Sequence, residues 1–234
     1  MVRILATTDY HADRAFTRAA FQMTVDASGP MPRTKVFAVG FHKTGTSSLA
    51  SALVMLGYRI APPFGVLDWH IRDKGLEIAL DLVPRFDAFQ DNPWPLLYRE
   101  LDERYPGSKF ILTVRPTDEW IASVVGHFGT ATTPMREWIY GVGVPAGNED
   151  VYMRRYEQHN REVREHFADR PHDLLELSVT AGEGWDQLCP FLARDIPDAP
   201  FPQVNQAPQR ERQSLRRRIR LAARLFMVRH RGWR

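Results

Sequence analysis

Two apolar patterns alternate along this chain: short continuous runs, and longer stretches in which apolar residues return every three or four positions. The runs at 35–39, 58–60, 86–90, 109–114 and 173–179 predict strands. The periodic stretches at 46–56, 67–83, 95–104, 117–127, 149–167 and 184–194 predict helices; the second carries its stripe through Leu67, Ile71, Ile78 and Leu82. Gly57 stops the first helix, Pro62-Pro63 breaks the chain, and Tyr105-Pro106-Gly107 turns into the fourth strand. Residues 128–148 carry Gly and Trp but no assigned element. Strands that alternate with helices predict an α/β fold in three layers, a central parallel sheet flanked by helices on both faces.

Composition narrows the class. A chain of 234 residues with 44% hydrophobic and 25% charged content suits one globular α/β domain. No apolar run approaches a membrane span. Asp9, His11, Asp13 and Arg14 interrupt the N-terminus early, against a secretory signal. The one cysteine, Cys189, excludes an internal disulfide framework and is read as a packed thiol, which fits a reducing cytoplasm. Neither an internal repeat nor a metal-ligand spacing is present, and no metal is expected.

Charge divides the chain. Residues 209–234 hold ten Arg and one Glu, a local +9 against the chain's +3, which leaves −6 on residues 1–208. Leu215, Ile219, Ala222 and Phe226 share one helical face, so the segment reads as a basic amphipathic C-terminal helix. Three roles stay open for it: resting on an anionic membrane surface, docking on the domain with its arginines over the site, or standing solvated without a partner. A cytoplasmic location follows, peripheral at the inner membrane face in the first case. Nucleic acid is not expected, since no aromatic platform accompanies the arginines. The expected organisation is an extension over 1–33, a domain over 34–208 and the tail over 209–234. Met31 offers a second start within the extension.

The chemistry begins at Val36-Phe-Ala-Val-Gly40-Phe-His42-Lys43-Thr44-Gly45-Thr46-Ser47-Ser48. A strand, a Gly, Lys and hydroxyl loop and a helix start follow one another, the order of a phosphate cradle at a helix N-terminus. A nucleoside-triphosphate P-loop puts its lysine directly after the second glycine. Here Thr46 holds that place, and Lys43 stands two residues before Gly45. The pattern K-x-G-[ST]-[ST] would arise by chance in roughly one chain per hundred of this length. A second constellation follows the strand at 109–114: Arg115 at the strand's C-terminal end, then Pro116 to Asp118 opening a helix, and Ser123 on its second turn. Arg115 therefore faces the crevice where parallel sheets bind ligands, and its guanidinium suits a phosphate dianion.

These residues resemble the P-loop sulfotransferase superfamily over about residues 35–205, in a divergent, bacterial-type branch. The resemblance implies a P-loop fold and a donor, 3′-phosphoadenosine 5′-phosphosulfate (PAPS). Lys43, Thr44, Gly45, Thr46, Ser47 and Ser48 would hold its 5′-phosphosulfate, and Arg115 and Ser123 its 3′-phosphate. It also implies transfer of a sulfuryl group to a hydroxyl or amine of a small-molecule or glycan acceptor, without a metal. The chain departs from cytosolic relatives in two places. Ser48 stands where they carry an adenine-stacking tryptophan, and the segment 199–205 replaces their C-terminal arginine-lysine-glycine loop.

A base must accept the acceptor's proton. Asp91 is the first choice, since it follows a predicted strand and stands two residues before Pro93, the spacing at which cytosolic relatives carry a catalytic histidine. Its alternative is an Asx turn. His42 in the loop, His70 and Asp68 are the reserves. Segment 61–90 and the aromatics of 128–156 are expected to select the acceptor. Two other readings compete: a small-molecule kinase with Asp87 and Asp91 as magnesium ligands, and a noncatalytic nucleotide-binding module.

Overall fold

The computed structural model describes residues 34–204; the extension expected at 1–33 and the basic helix expected at 209–234 lie outside the described residues. Four strands, β1 (Val36–Ala38), β2 (Ala88–Phe89), β3 (Lys109–Thr113) and β4 (Leu174–Leu177), form one parallel sheet in the order β2-β1-β3-β4. The helices are α1 (Thr46–Met55), α2 (Ile71–Leu82), α3 (Tyr98–Arg104), α4 (Thr117–Phe128), α5 (Pro134–Tyr140), α6 (Glu149–His166) and α7 (Trp185–Phe191). None among the described residues is long and apolar enough to cross a membrane.

Side-chain alternation along the strands builds the layers. Phe37, Phe89, Phe110 and Leu112 face α2, α3 and α6, meeting Leu82, Leu101 and Val163. Val36, Ala38, Ala88, Ile111 and Leu177 face the other way, onto Leu49 and Leu53 of α1 and Leu188 and Cys189 of α7. The sheet register pairs Phe37 with Phe89 on one side and Phe110 on the other. Three rings therefore stack across three strands, with centroids 4.8 and 5.4 Å apart. Such pairs contribute about 0.5–1.5 kcal/mol each beyond the area they bury. A third cluster, with Phe41, Trp120, Tyr140, Tyr152 and Tyr156, joins the loop after β1 to α4, α5 and α6.

Several elements differ from the sequence pattern for local reasons. The strand expected at 58–60 is a single bridge between Ile60 and Ala88. Helix α2 starts at Ile71 instead of 67, because the Asp68 carboxylate accepts the His70 N–H at 2.9 Å and holds a turn before the helix. The stretch expected as one helix at 95–104 is a 3₁₀ turn (Trp94–Leu96) followed by α3, consistent with Pro93 and Pro95 lacking N–H donors. Helix α5, absent from the expected elements, opens with Thr133 accepting the Arg136 N–H and Pro134 in its first turn.

Candidate functional site

The loop between β1 and α1 is held by close approach. A Cβ on Gly40 would stand 2.1 Å from the Thr113 hydroxyl, 2.4 Å from its carbonyl oxygen and 2.6 Å from its nitrogen, so only glycine lets β1 leave the sheet against β3. Thr44, fully buried, donates to the Phe41 carbonyl and meets the Thr113 hydroxyl, both at 2.6 Å. Lys43 and Gly45 adopt left-handed backbone, with φ 69° and 100°. The result alternates: Thr44, Thr46 and Ser48 are buried, while Lys43, Gly45 and Ser47 are partly exposed. At Gly45 the helix has no side-chain cap, and its first turn carries no acidic residue. The positive end of its dipole therefore lacks the carboxylate that usually completes such a terminus, which suits an anion.

His42 turns inward. Its ring is 5% exposed, with Nδ1 3.0 Å from the Asn92 amide nitrogen and Nε2 3.2 Å from the Tyr140 hydroxyl. Burial, aided by the Lys43, Arg136 and His127 charges, pushes its pKa down to about 3. A neutral ring accepting from Asn92 carries its proton on Nε2 and donates it to Tyr140. Both nitrogens are thus used inside the protein, and His42 anchors the loop to the residue beside Asp91. This is not the geometry of a solvent-facing base.

Arg115 lies just past β3, beside the loop because β3 neighbours β1. Its Nε donates to Glu119 at 3.2 Å, a half-exposed pair worth under about 1 kcal/mol, so a ligand could take the arginine at little cost. Ser123 is half-buried one turn beyond Glu119, on the same line of α4. The Arg115 backbone is fixed by Tyr156, an aromatic expected from the sequence to select the acceptor. The Tyr156 hydroxyl accepts the Arg115 N–H and donates to the Arg115 carbonyl, both at 2.9 Å. Its ring stacks on Trp120 at 4.2 Å, and the Trp120 indole donates to the His42 carbonyl at 2.9 Å.

One turn along α6, His159 bonds the Val39 carbonyl at 2.7 Å through Nε2 and stacks on Phe41 at 4.1 Å. Burial lowers its pKa to about 4, so the ring is neutral and donates from Nε2. Helix α6 therefore grips both constellations at once. The signal was present as Tyr152, Tyr156, His159 and Val163 on one face of an otherwise polar helix, but their partners lie far away in sequence. Tyr140, Tyr152 and Tyr156, expected among acceptor contacts, are instead buried beneath the loop. Leu67 and Trp69, in the segment before α2, are 46% and 70% exposed.

Asp91 stands two residues beyond β2, at the sheet edge shared with Lys43 and Arg115. It is partly exposed, has φ 64°, and accepts the Asn92 N–H at 2.8 Å. His70 is exposed and precedes α2 instead of lying on it; Asp68 caps its backbone. Asp87 is fully buried, takes the Arg59 guanidinium at 2.9 Å, and precedes β2 at the opposite edge from the loop. Its position does not suit a magnesium ligand at the loop. Among the described residues no cluster of three or more His, Cys, Asp or Glu has metal-binding proximity.

The chain is similar to "Ava biosynthesis cluster protein M" of Aspergillus versicolor, 24% identical over an alignment of 216 positions, with 73% of this chain and 80% of that protein covered. The profile described as sulfotransferase domain matches residues 35–147 and 126–210, and so takes in the loop, Asp91, Arg115, Ser123 and the whole sheet. With an α/β parallel sheet that carries both candidate constellations on one edge, the chain belongs to the sulfotransferase domain family.

Proposed function

We propose that the protein transfers a sulfuryl group from PAPS to a hydroxyl or amine of its acceptor. The observation that carries this reading is the partly exposed Lys43 in a left-handed turn ahead of a helix without a cap, with Arg115 at the end of the adjacent strand. One cationic group serves the 5′-phosphosulfate and the other, with Ser123, the 3′-phosphate.

The acceptor's lone pair attacks sulfur in line with the bond to the 5′-phosphate oxygen. The new bond to sulfur forms as that S–O bond breaks, and its electron pair leaves on the 3′,5′-bisphosphate. Lys43, the Ser47 hydroxyl and the N–H groups opening α1 stabilise the charge growing there. The acceptor's proton passes to the Asp91 carboxylate, which stands at the same edge. Thr44, Thr46 and Ser48, buried beneath the loop, contribute shape through their side chains and donors through their backbone. The exposed Trp69 offers a flat face suited to the ring of a small-molecule or glycan acceptor.

Calorimetric titration tests the reading: 3′,5′-bisphosphoadenosine without metal, beside ATP with Mg²⁺. Micromolar binding of the bisphosphate and none of ATP is expected. The reverse preference would overturn the donor assignment and favour phosphoryl transfer.

A further inference from the structure

Beyond the carboxyl ends of β3 and β4, a cavity of about 440 Å³ opens against α6. That volume lies within the ~300–1,000 Å³ range of small-molecule sites. Arg115 lines it from the β3–α4 junction, Ser178 from the chain after β4, and Asn160, Arg161 and Arg164 from α6. Three arginines from two elements and one carboxylate, Glu157 of α6, thus share the lining, an excess of positive charge that favours an anionic ligand.

The charges are unequally satisfied. Arg115 is held through Nε by Glu119, and Arg164 through Nε and Nη2 by Glu176 at 2.7 and 2.9 Å. Neither glutamate lines the cavity. Arg161 is exposed and makes no ion pair among the described residues, although Glu157 lies one turn before it on the same helix face. Asn160, 6% exposed, lines the cavity, and its Oδ1 has no hydrogen-bond partner. The lining therefore offers guanidinium forks for a dianion and one buried acceptor for a hydroxyl.

We propose that this cavity is a phosphate-monoester subsite, in which Arg161 of α6 joins Arg115 in gripping the phosphate on the nucleoside end of the donor. The proposal rests on the donor reading above. It gives the donor's phosphate a second cation from within the sheet domain, in a chain whose 199–205 segment carries no arginine or lysine. Arg164 stays with Glu176 and adds positive potential at the cavity wall, while Asn160 Oδ1 accepts from a ribose hydroxyl.

The test titrates 3′,5′-bisphosphoadenosine and AMP, which lacks the 3′-phosphate, into the wild-type protein, Arg161→Ala and Glu157→Gln. Wild type should prefer the bisphosphate. Arg161→Ala should lose about tenfold or more of bisphosphate affinity with AMP binding unchanged. Glu157→Gln, which removes a competing negative charge, should tighten the bisphosphate alone. If Arg161→Ala keeps the full preference, the subsite is overturned and the donor reading stands. If wild type binds both ligands alike or neither, the donor reading itself falls, and the subsite with it. Arg161 is exposed and unpaired among the described residues, so its replacement should leave the thermal midpoint unchanged.

Discussion

Gly40 and Lys43 stand three positions apart in one loop, and their replacements should fail differently. A methyl group at Gly40 would press on the Thr113 backbone, which no rotamer change relieves. Gly40→Ala should therefore lower the unfolding free energy by about 2–4 kcal/mol, read as a reduced denaturation midpoint at unchanged slope. Lys43 is partly exposed and already bears its left-handed φ, so Lys43→Ala should shift stability by less than about 1 kcal/mol. Its turnover should fall at least about 100-fold, the effect of removing a donor aimed at developing charge. Turnover within a few-fold of wild type would take Lys43 out of the chemistry. Both residues were legible in the sequence because spacing alone marks them. His42 was not: a loop histidine reads the same whether it faces water or the core, and only Asn92 and Tyr140, distant in sequence, decide.

Among the elements, α6 shows most clearly where legibility stops. Its length and apolar face follow from the pattern around Tyr152, Tyr156 and Val163, but nothing local says that Tyr156 meets Arg115 or that His159 meets Val39. Tyr156→Phe keeps the stack on Trp120 and removes two hydrogen bonds to the Arg115 backbone. It should cost about 1–2 kcal/mol in stability. Because Arg115 then loses its fixed position, the donor KM should rise several-fold while kcat changes little. Lower stability with both kinetic constants unchanged would reduce Tyr156 to a packing residue. The broken stretch at 94–104 and the missed α5 have a shared origin in proline. Pro93, Pro95 and Pro134 each punctuate a helix, and the apolar period alone does not tell an ending from a beginning.

At the scale of the whole molecule, the two histidines buried among the described residues set a pH dependence. His42 and His159 titrate at about 3 and about 4 when folded, against about 6.5 in the unfolded chain. Between those values the unfolded state takes up protons that the folded state refuses. Stability is therefore full above about pH 7 and declines as pH falls from 6.5 towards 4 for His159 and towards 3 for His42. Denaturation at pH 5.0 should give about 2–4 kcal/mol less than at pH 7.5, and His159→Gln should remove about half of that difference. A flat profile would mean that neither ring resists protonation. At this scale the parallel α/β class was readable from strands alternating with helices. The strand order was not, since a period of two assigns faces and leaves neighbours open. That order also governs how the protein comes into being. β1 leaves the ribosome first, yet its ladder partners β2 and β3 follow roughly fifty and seventy residues later. Val179, the neighbour of Gly45, emerges after α6 and β4. The loop thus lacks its full set of supports until nearly all of the described chain has been made, as contacts distant in sequence require. A product cut short before α6 would carry Lys43 and Arg115 but lack Tyr156 and His159, which fix the Arg115 backbone and the Val39 carbonyl, so prematurely terminated chains should hold neither constellation in place.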